Sequence, residues 1–203
     1  MRIIGLTGGI ASGKSLVSQQ LAERGAAIVD ADKLGWETYR KGTETYEAVV
    51  EAFGRDIVGP DGEIDRSALG GKVFGDPEAR RRLEDIVWPA IRRLASERLA
   101  GLRAQGAPVV VLEAAVPIEA DWLDLVDEVW LVVTPPETAR KRMMERNGLS
   151  AEQAESRLRA QLTNEKRRPY AQVVIENDGS LEDLSRTVHE AWSRLQAQVG
   201  TAR

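Results

Sequence analysis

The sequence contains no cysteine, and this absence excludes several classes of protein. Such a chain has no disulfide framework, no cysteine-ligated zinc site and no iron–sulfur cluster held by thiolates. The absence is compatible with a reducing compartment, and we expect the protein to act in the cytoplasm.

Long apolar runs are also missing. The longest uncharged apolar stretches, residues 109–112 and 129–133, fall far short of the roughly 20 residues that span a bilayer. The apolar start of the chain is interrupted by glycines and leads into Lys14. We therefore interpret it as a strand and a loop rather than a signal sequence, and we expect no membrane partner.

The chain has no large excess of charge of one sign. It carries 28 Lys+Arg against 32 Asp+Glu, a net charge of −4. This balance argues against the uniformly basic surface of a protein that coats nucleic acid. One segment departs from it, because residues 137–168 hold nine Lys and Arg against five Glu. We expect no nucleic-acid partner, and a monomer with at most weak self-association.

Five short runs rich in Val and Ile predict strands at residues 3–7, 27–30, 109–112, 129–133 and 173–175. The runs do not alternate between apolar and polar residues, which is typical of parallel strands covered on both faces. Helical patterns fill the intervals between them. The sequence therefore predicts an α/β fold, with a five-stranded parallel sheet flanked by helices.

The interval between the second and third predicted strands is too long for a simple crossover, which needs only about a dozen residues. It shows helical patterns and no strand, so we predict a helical insertion at about residues 43–104. One of its helices is predicted from the spacing of Ile91, Leu94 and Leu99, with Pro89 near its first turn. The rest of this single domain is a core (residues 1–42, 105–136 and 169–203) and a helical segment at about residues 137–168.

A phosphate-binding motif follows the first predicted strand. The string GGIASGKS at residues 8–15 fits G-x-x-x-x-G-K-[ST] and leads into a predicted helix, which is the expected context. Its glycines let consecutive backbone N–H groups point at an anion, and the helix adds its free N–H groups and dipole. The motif predicts binding of a nucleoside triphosphate. The predicted contact residues are Gly8, Gly9, Ala11, Ser12, Gly13, Lys14, Ser15 and Leu16.

Side chains near this motif suit phosphoryl transfer. Lys14 can reach the β- and γ-phosphates, and the Ser15 hydroxyl can ligate Mg²⁺. Glu113, at the end of the third predicted strand, lies where a second metal-holding group is expected. The alternative interpretation of Glu113 is an ordinary strand-end carboxylate.

Asp32 follows the carboxyl end of the second predicted strand, an end that borders the ligand crevice in an open α/β sheet. A carboxylate there can orient an acceptor hydroxyl and take its proton. The alternative is that Asp32 caps the helix that starts near Lys33. The sequence leaves both interpretations open.

Polar residues later in the chain also have two interpretations each. Arg142 and Arg146 share a helix face and can stabilise phosphoryl charge from a lid; alternatively, they lie on a solvated helix with pairs such as Arg142–Glu145. Asn177 is placed to meet an adenine edge, or it forms a simple turn with Asp178 and a following glycine.

Several of these motifs, in this order, resemble the dephospho-CoA kinase family over about residues 2–195. The resemblance rests on residues 4–15, Asp30-Ala31-Asp32, Ile64-Asp65-Arg66, Trp88-Pro89-Ala90-Ile91-Arg92, Glu119, Arg142, Arg146, Gln161 and residues 174–177. Most bacterial members have His at the position of Trp88. In this respect the chain is similar to the kinase domain of the bifunctional coenzyme A synthase.

The resemblance implies transfer of the ATP γ-phosphate to the 3′-hydroxyl of dephospho-CoA, with Mg²⁺, to give coenzyme A and ADP. It implies a P-loop core, an insertion that holds the acceptor, and a lid at residues 137–168. By the same resemblance, Asp32, Lys14 and Arg142 are catalytic; Arg146 and Asn177 contact ATP; and Asp32, Arg66, Arg92 and Glu119 bind the acceptor.

Two other functions remain open from the sequence. One is a P-loop kinase for nucleoside monophosphates or another small alcohol. The other is a non-catalytic module in which ATP binding moves the lid.

Overall fold

A five-stranded parallel sheet organises residues 1–200, the part of the chain that this computed structural model describes. Its strands are β1 (Arg2–Gly8), β2 (Ala27–Asp30), β3 (Val109–Glu113), β4 (Glu128–Val133) and β5 (Val173–Glu176). They are arranged in the order β2-β3-β1-β4-β5. Helices flank the sheet, so the predicted fold class is confirmed, and each strand lies within one residue of its predicted bounds.

The register of the sheet explains why its strands are apolar. β1 pairs in parallel with β3 on one side, where Ile4 faces Val111, and with β4 on the other, where Leu6 faces Trp130. β4 in turn pairs in parallel with β5. A central strand of this kind has packed layers on both faces, so a polar residue would find few partners there.

The main hydrophobic core lies between the sheet and two helices, α1 (Lys14–Glu23) and α9 (Leu181–Gly200). Leu21 of α1, and Leu184 and Trp192 of α9, are buried in this core together with residues of β1, β3, β4 and β5. Burial of large apolar side chains is the dominant stabilising contribution to such a layer. The same packing holds the amino-terminal end of α1 at the end of β1.

Contacts between residues divide the chain into two compact units. Within the described residues, the first comprises Met1–Val29 and residues 101–200. Besides α1 and α9 it contains α6 (Pro136–Asn147), α7 (Ala151–Arg159) and α8 (Asn164–Arg167). The second is Asp30–Ala100 and is helical. Its helices are α2 (Ala31–Thr38), α3 (Glu44–Phe53), α4 (Arg66–Val73) and most of α5 (Pro77–Ala104).

Helix α5 corrects one expectation about the second unit. Pro89 lies well inside this 28-residue helix rather than near its first turn. The proline at the first helical position is Pro77, where the Asp76 carboxylate accepts the N–H groups of the next two residues. Although an interior proline costs one backbone hydrogen bond, buried residues on both sides of it, Val87 and Ile91, hold the helix in place.

None of the helices within residues 1–200 combines the length and the apolar character that crossing a bilayer requires.

Candidate active site

The loop of residues 8–15, here called the phosphate loop, joins β1 to α1. Gly13 has φ of +95°, and a Cβ there would overlap the side-chain amide of Asn177. At Gly8 a Cβ would collide with the carbonyl oxygen of Val132 and lie 2.7 Å from the Ser12 hydroxyl. Two glycines of the motif are therefore required by the tight path of the loop, as well as by its approach to a ligand.

A cleft of about 740 Å³ opens in front of the phosphate loop. The first amides of α1 have no acceptor within the helix, and they carry the positive end of its dipole. Lys14 lines the cleft beside them, so the site favours a polyanion. The predicted nucleotide-binding residues that line this cleft are Gly9, Ala11, Ser12, Gly13, Lys14, Ser15, Leu16, Arg146 and Asn177.

Ser15 lines this cleft, and its side chain contacts Glu113. The Ser15 hydroxyl donates to Oε1 of Glu113 at 3.4 Å, and Glu113 is 7% exposed at the end of β3. A hydroxyl and a carboxylate at this distance are two hard oxygen ligands of the kind that Mg²⁺ prefers.

Arg142 joins three segments around the phosphate loop. Its guanidinium donates to the Asn177 carbonyl at 3.1 Å, the Thr134 hydroxyl at 3.2 Å and the Ala11 carbonyl at 3.4 Å. The alternative in which Arg142 pairs with Glu145 on a solvated helix is wrong. Instead, Lys141 lies 3.9 Å from the Glu145 carboxylate. The predicted lid role of Arg142 stays a prediction.

Arg146 and Asn177 occupy different positions in the cleft. Arg146 is exposed at its wall. Asn177 is buried, and its side-chain amide donates to the Ser12 carbonyl at 2.7 Å. Asn177 therefore holds the phosphate loop, and its predicted contact with adenine stays a prediction.

Two residues without a role in the sequence-based site contact the phosphate loop. Gln161 accepts the backbone N–H of Ile10 at 2.8 Å. Arg167 is 1% exposed and lies beside Gly9, with its guanidinium 3.3 Å from the Glu119 carboxylate. Burial lowers the pKa of Arg167, and the charge of Glu119 opposes that shift. In the sequence, Gln161 is marked only by the family resemblance, which assigns it no role, and Arg167 is marked only as one of several basic residues in the segment 137–168.

The remaining predicted residues belong to the second unit. Asp30, not Asp32, caps α2, because its carboxylate accepts the Lys33 N–H at 3.0 Å. The capping alternative for Asp32 is therefore wrong. Asp32 lies in the first turn of α2 and is exposed. Arg92 lies within α5 and is half-buried.

Arg66 forms part of an aromatic cluster in the second unit. Its guanidinium stacks 3.4 Å from the centre of the Trp36 ring, and Trp36 meets Tyr39 edge-on at 5.7 Å. These three residues line a cavity of about 360 Å³. Burial raises the pKa of Tyr39 to about 12, although the nearby charge of Arg66 acts in the opposite direction.

Comparison with known proteins decides which kind of phosphate-loop protein this is. Residues 2–183 match the family described as dephospho-CoA kinase (CoaE). The chain belongs to the dephospho-CoA kinase family. It is 52% identical over 194 residues to a dephospho-CoA kinase of Geobacter sulfurreducens, an alignment that covers 96% of this chain and 98% of that protein.

Solved structures agree with this family assignment. TT1252 from Thermus thermophilus superimposes with a TM-score of 0.80 at 39% identity, covering 96% of this chain and 97% of that one. A dephospho-CoA kinase from Campylobacter jejuni superimposes with a TM-score of 0.71 at 27% identity, covering 96% and 98%. The predicted family is therefore confirmed, and with it an ATP-dependent kinase that acts on a hydroxyl group.

Proposed function

We propose that this chain transfers the γ-phosphate of ATP to the 3′-hydroxyl of dephospho-CoA, giving coenzyme A and ADP. The observation that carries the proposal is the family match over residues 2–183 on a chain whose phosphate loop is complete. Family membership favours this kinase over a kinase for other small alcohols and over a non-catalytic ATP sensor.

The donor side of the reaction uses the first unit. The loop amides and Lys14 neutralise the phosphates of ATP, and Arg142 and Arg146 stabilise the charge that spreads over the transferred group. Asp32 accepts the proton of the acceptor hydroxyl as the new O–P bond forms and the bond between the γ-phosphorus and the bridging oxygen breaks. Its support is its place two residues beyond the end of β2, since the carboxyl ends of parallel strands border the ligand crevice.

We further propose that ATP binds with Mg²⁺. Ser15 and Glu113 supply oxygen ligands 3.4 Å apart, and Mg²⁺ commonly takes one or two protein ligands together with substrate phosphates. Ser15 would hold the ion directly, and Glu113 directly or through water. When bound, the ion neutralises charge on the β- and γ-phosphates.

The acceptor side rests on the proposed division of the domain. Residues 43–104 would hold dephospho-CoA, with Arg66 and Arg92 as cationic contacts and Glu119 as a polar contact from the core. Residues 137–168 would form the lid, since α6, α7 and α8 occupy most of this segment. The core would comprise residues 1–42, 105–136 and 169–203. Residues 201–203 of this core lie outside the described residues.

The activity is tested by incubating the purified chain with ATP, Mg²⁺ and dephospho-CoA. We expect ADP to form in equal amount to coenzyme A, identified by mass spectrometry as the 3′-phosphate. Lys14→Ala should reduce turnover by more than a hundredfold, because a charge that contacts the transferred group is lost. The matched control is Lys141→Ala, which removes a lysine whose near partner is Glu145 on the surface of α6.

The competing functions give other outcomes in the same assay. Transfer to nucleoside monophosphates or simple alcohols, with none to dephospho-CoA, would establish another small-molecule kinase. ATP-dependent protection of residues 137–168 from protease, with background ADP formation for every acceptor, would establish a sensor. Near-normal turnover of Lys14→Ala would contradict its assigned role.

We also propose that the protein acts as a monomer in the cytoplasm without a nucleic-acid partner. The net charge of −4 supports the lack of a nucleic-acid partner, and the absence of cysteine is compatible with the reducing cytoplasm. Light scattering on the eluted protein should give a mass near 22.3 kDa. A mass of twice that value would contradict the proposed state.

A further inference from the structure

Three polar side chains at intervals of three residues contact the phosphate loop or the strand end beside it. Gln161 accepts the Ile10 N–H at 2.8 Å. Asn164 donates to the Thr134 carbonyl at 3.0 Å. Arg167 lies against Gly9, where a Cβ would be 3.4 Å from one of its terminal nitrogens. The segment from residue 161 to residue 167 therefore presents one face to the loop.

Thr134 extends this connection into the loop. Its hydroxyl lies 3.2 Å from the Ser12 carbonyl and 2.8 Å from the Asn177 carbonyl, both within hydrogen-bond distance. Since Asn164 binds the backbone of the same threonine, the segment is tied to the middle of the phosphate loop as well as to its start.

Arg167 is an unusual residue to place behind a phosphate loop. It is 1% exposed, and its only ion pair within the described residues is with Glu119 at 3.3 Å. Within residues 1–200, the buried Nε of Arg167 and Oε2 of Glu119 find no hydrogen-bond partner. Burying a charged guanidinium costs free energy that one partly exposed carboxylate offsets incompletely, so stability alone does not account for the position of Arg167.

The loop forms a wall between two cavities. Gly9, Ile10 and Ser12 line the nucleotide cleft of about 740 Å³, and they also line a neighbouring cavity of about 380 Å³. Gln161, Asn164 and Arg167 line the smaller cavity and not the nucleotide cleft. These side chains therefore contact the loop from the smaller cavity rather than from the nucleotide cleft.

We propose that Gln161 and Arg167 are positioning residues that set the path of the phosphate loop for ATP. Gln161 fixes the orientation of the peptide between Gly9 and Ile10, because it accepts the Ile10 N–H from the side of the smaller cavity. Arg167, anchored by Glu119, supports Gly9 from the same side. With the first half of the loop held in this way, the amides that follow Ile10 are directed at the phosphates without reorganisation on binding.

The inference rests on the proposed function only in taking an adenine nucleotide as the ligand of the cleft. Its test is therefore direct binding of ADP, measured by calorimetry without any acceptor. Steady-state KM values for ATP and for dephospho-CoA are measured beside it. Loss of activity with dephospho-CoA while ADP still binds would overturn the proposed function alone.

Gln161→Met is the first variant, because it keeps the size of the side chain and removes its acceptor oxygen. We expect the Kd for ADP and the KM for ATP to rise about tenfold, equivalent to about 1.4 kcal/mol, and the KM for dephospho-CoA to stay within twofold. The matched control is Gln172→Met. Gln172 makes the same kind of bond, accepting the Val129 N–H at 2.7 Å at the edge of the sheet, so its loss should leave all three constants unchanged.

Arg167→Lys tests the second residue while keeping a charge beside Glu119. We expect a rise of roughly threefold to tenfold in the same two nucleotide constants, since the planar fork is lost. The control is Arg168→Lys, one residue further on, where the arginine meets Glu176 at the surface.

If Gln161→Met does not fold, Gln161→Asn replaces it. This variant withdraws the acceptor oxygen by one methylene and is compared with wild type in the same way.

The proposal is overturned by two results. One is nucleotide constants within twofold of wild type in both the Gln161 and Arg167 variants, whatever their thermal stability. The other is an equal effect of the Gln172 or Arg168 controls, which would mean that general destabilisation moves these constants.

Discussion

Arg142 and Asn177 both stabilise the phosphate loop through hydrogen bonds to backbone carbonyl groups. Arg142 donates to three segments, and Asn177 donates to the Ser12 carbonyl, so both are hydrogen-bonded within the protein. Groups oriented in advance stabilise a transition state without reorganising during the reaction. At the scale of single residues, the same side chains can therefore support the loop and contribute to catalysis.

Asp32 carries the sharpest prediction at this scale. Asp32→Asn removes the proton acceptor, so we expect kcat to fall by roughly 10²–10⁴-fold with little change in the KM for dephospho-CoA. The matched control is Asp30→Asn. Asn is also a good helix cap, and its oxygen can still accept the Lys33 N–H, so kcat should stay near the wild-type value. A change in KM alone would make Asp32 a binding residue.

Helix ends show what single elements contribute to this site. Helix α9, which covers the core beneath the sheet, starts with a reciprocal cap: the Ser180 hydroxyl accepts the Asp183 N–H, and the Asp183 carboxylate accepts the Ser180 N–H, each at 3.1 Å. This cap lies directly after the loop of Asn177, so it also fixes one wall of the nucleotide cleft.

The cap of α9 predicts a dependence of stability on pH. Hydrogen bonds from Ser180, followed by the contact with Arg186, lower the pKa of Asp183 from 3.8 to about 2. The ionised carboxylate therefore stabilises the folded state above about pH 4, and this contribution is lost as the pH falls through about 2.

Asp183→Ala should lower the midpoint of thermal unfolding at pH 7 by roughly 2–4 °C, the usual scale for a lost cap in a chain of this length. The difference from wild type should close as the pH approaches 2. Glu182→Ala, which changes an acid in the same turn outside the cap, serves as the control. A difference that persists unchanged at pH 2 would show that the carboxylate is not the cause.

The molecule as a whole combines a sheet-based unit, which carries the phosphate loop, and a helical unit, which carries Asp32. A ligand that binds only the folded state stabilises that state by an amount that grows with the logarithm of the ratio of its concentration to its Kd. ADP contacts are proposed only for the first unit. The rise in unfolding temperature that ADP causes therefore measures the stabilisation of the first unit.

ADP at one hundred times its Kd should stabilise the folded state by about 2.7 kcal/mol. For a chain of this length, this raises the unfolding midpoint by roughly 5–11 °C. Calorimetric scans with and without ADP measure the change, and Lys14→Ala at the same ADP concentration should show a much smaller one. An equal rise in both proteins would mean that ADP acts somewhere other than the phosphate loop.

Much of this architecture is readable from local patterns. The Val- and Ile-rich runs predict the five strands to within one residue, because parallel strands covered on both faces require unbroken apolar stretches. The motif at residues 8–15 identifies the phosphate loop, because only glycines fit where Val132 and Asn177 approach its backbone. The predicted start of α5 near Pro89 is wrong, since the helix begins at Pro77 and the spacing of Ile91, Leu94 and Leu99 carries no signal for its earlier turns.

The sequence by itself determined the fold class, the phosphate loop and, through its ordered motifs, the family, since each depends on neighbours along the chain. Only the tertiary structure decided that Arg142 binds the backbone of Ala11 and that Gln161 holds Ile10, contacts across 131 and 151 residues. It also decided that Glu119 faces Arg167. A periodic pattern along the chain cannot predict such pairs, because they form only when the folded sheet brings distant segments of the chain together.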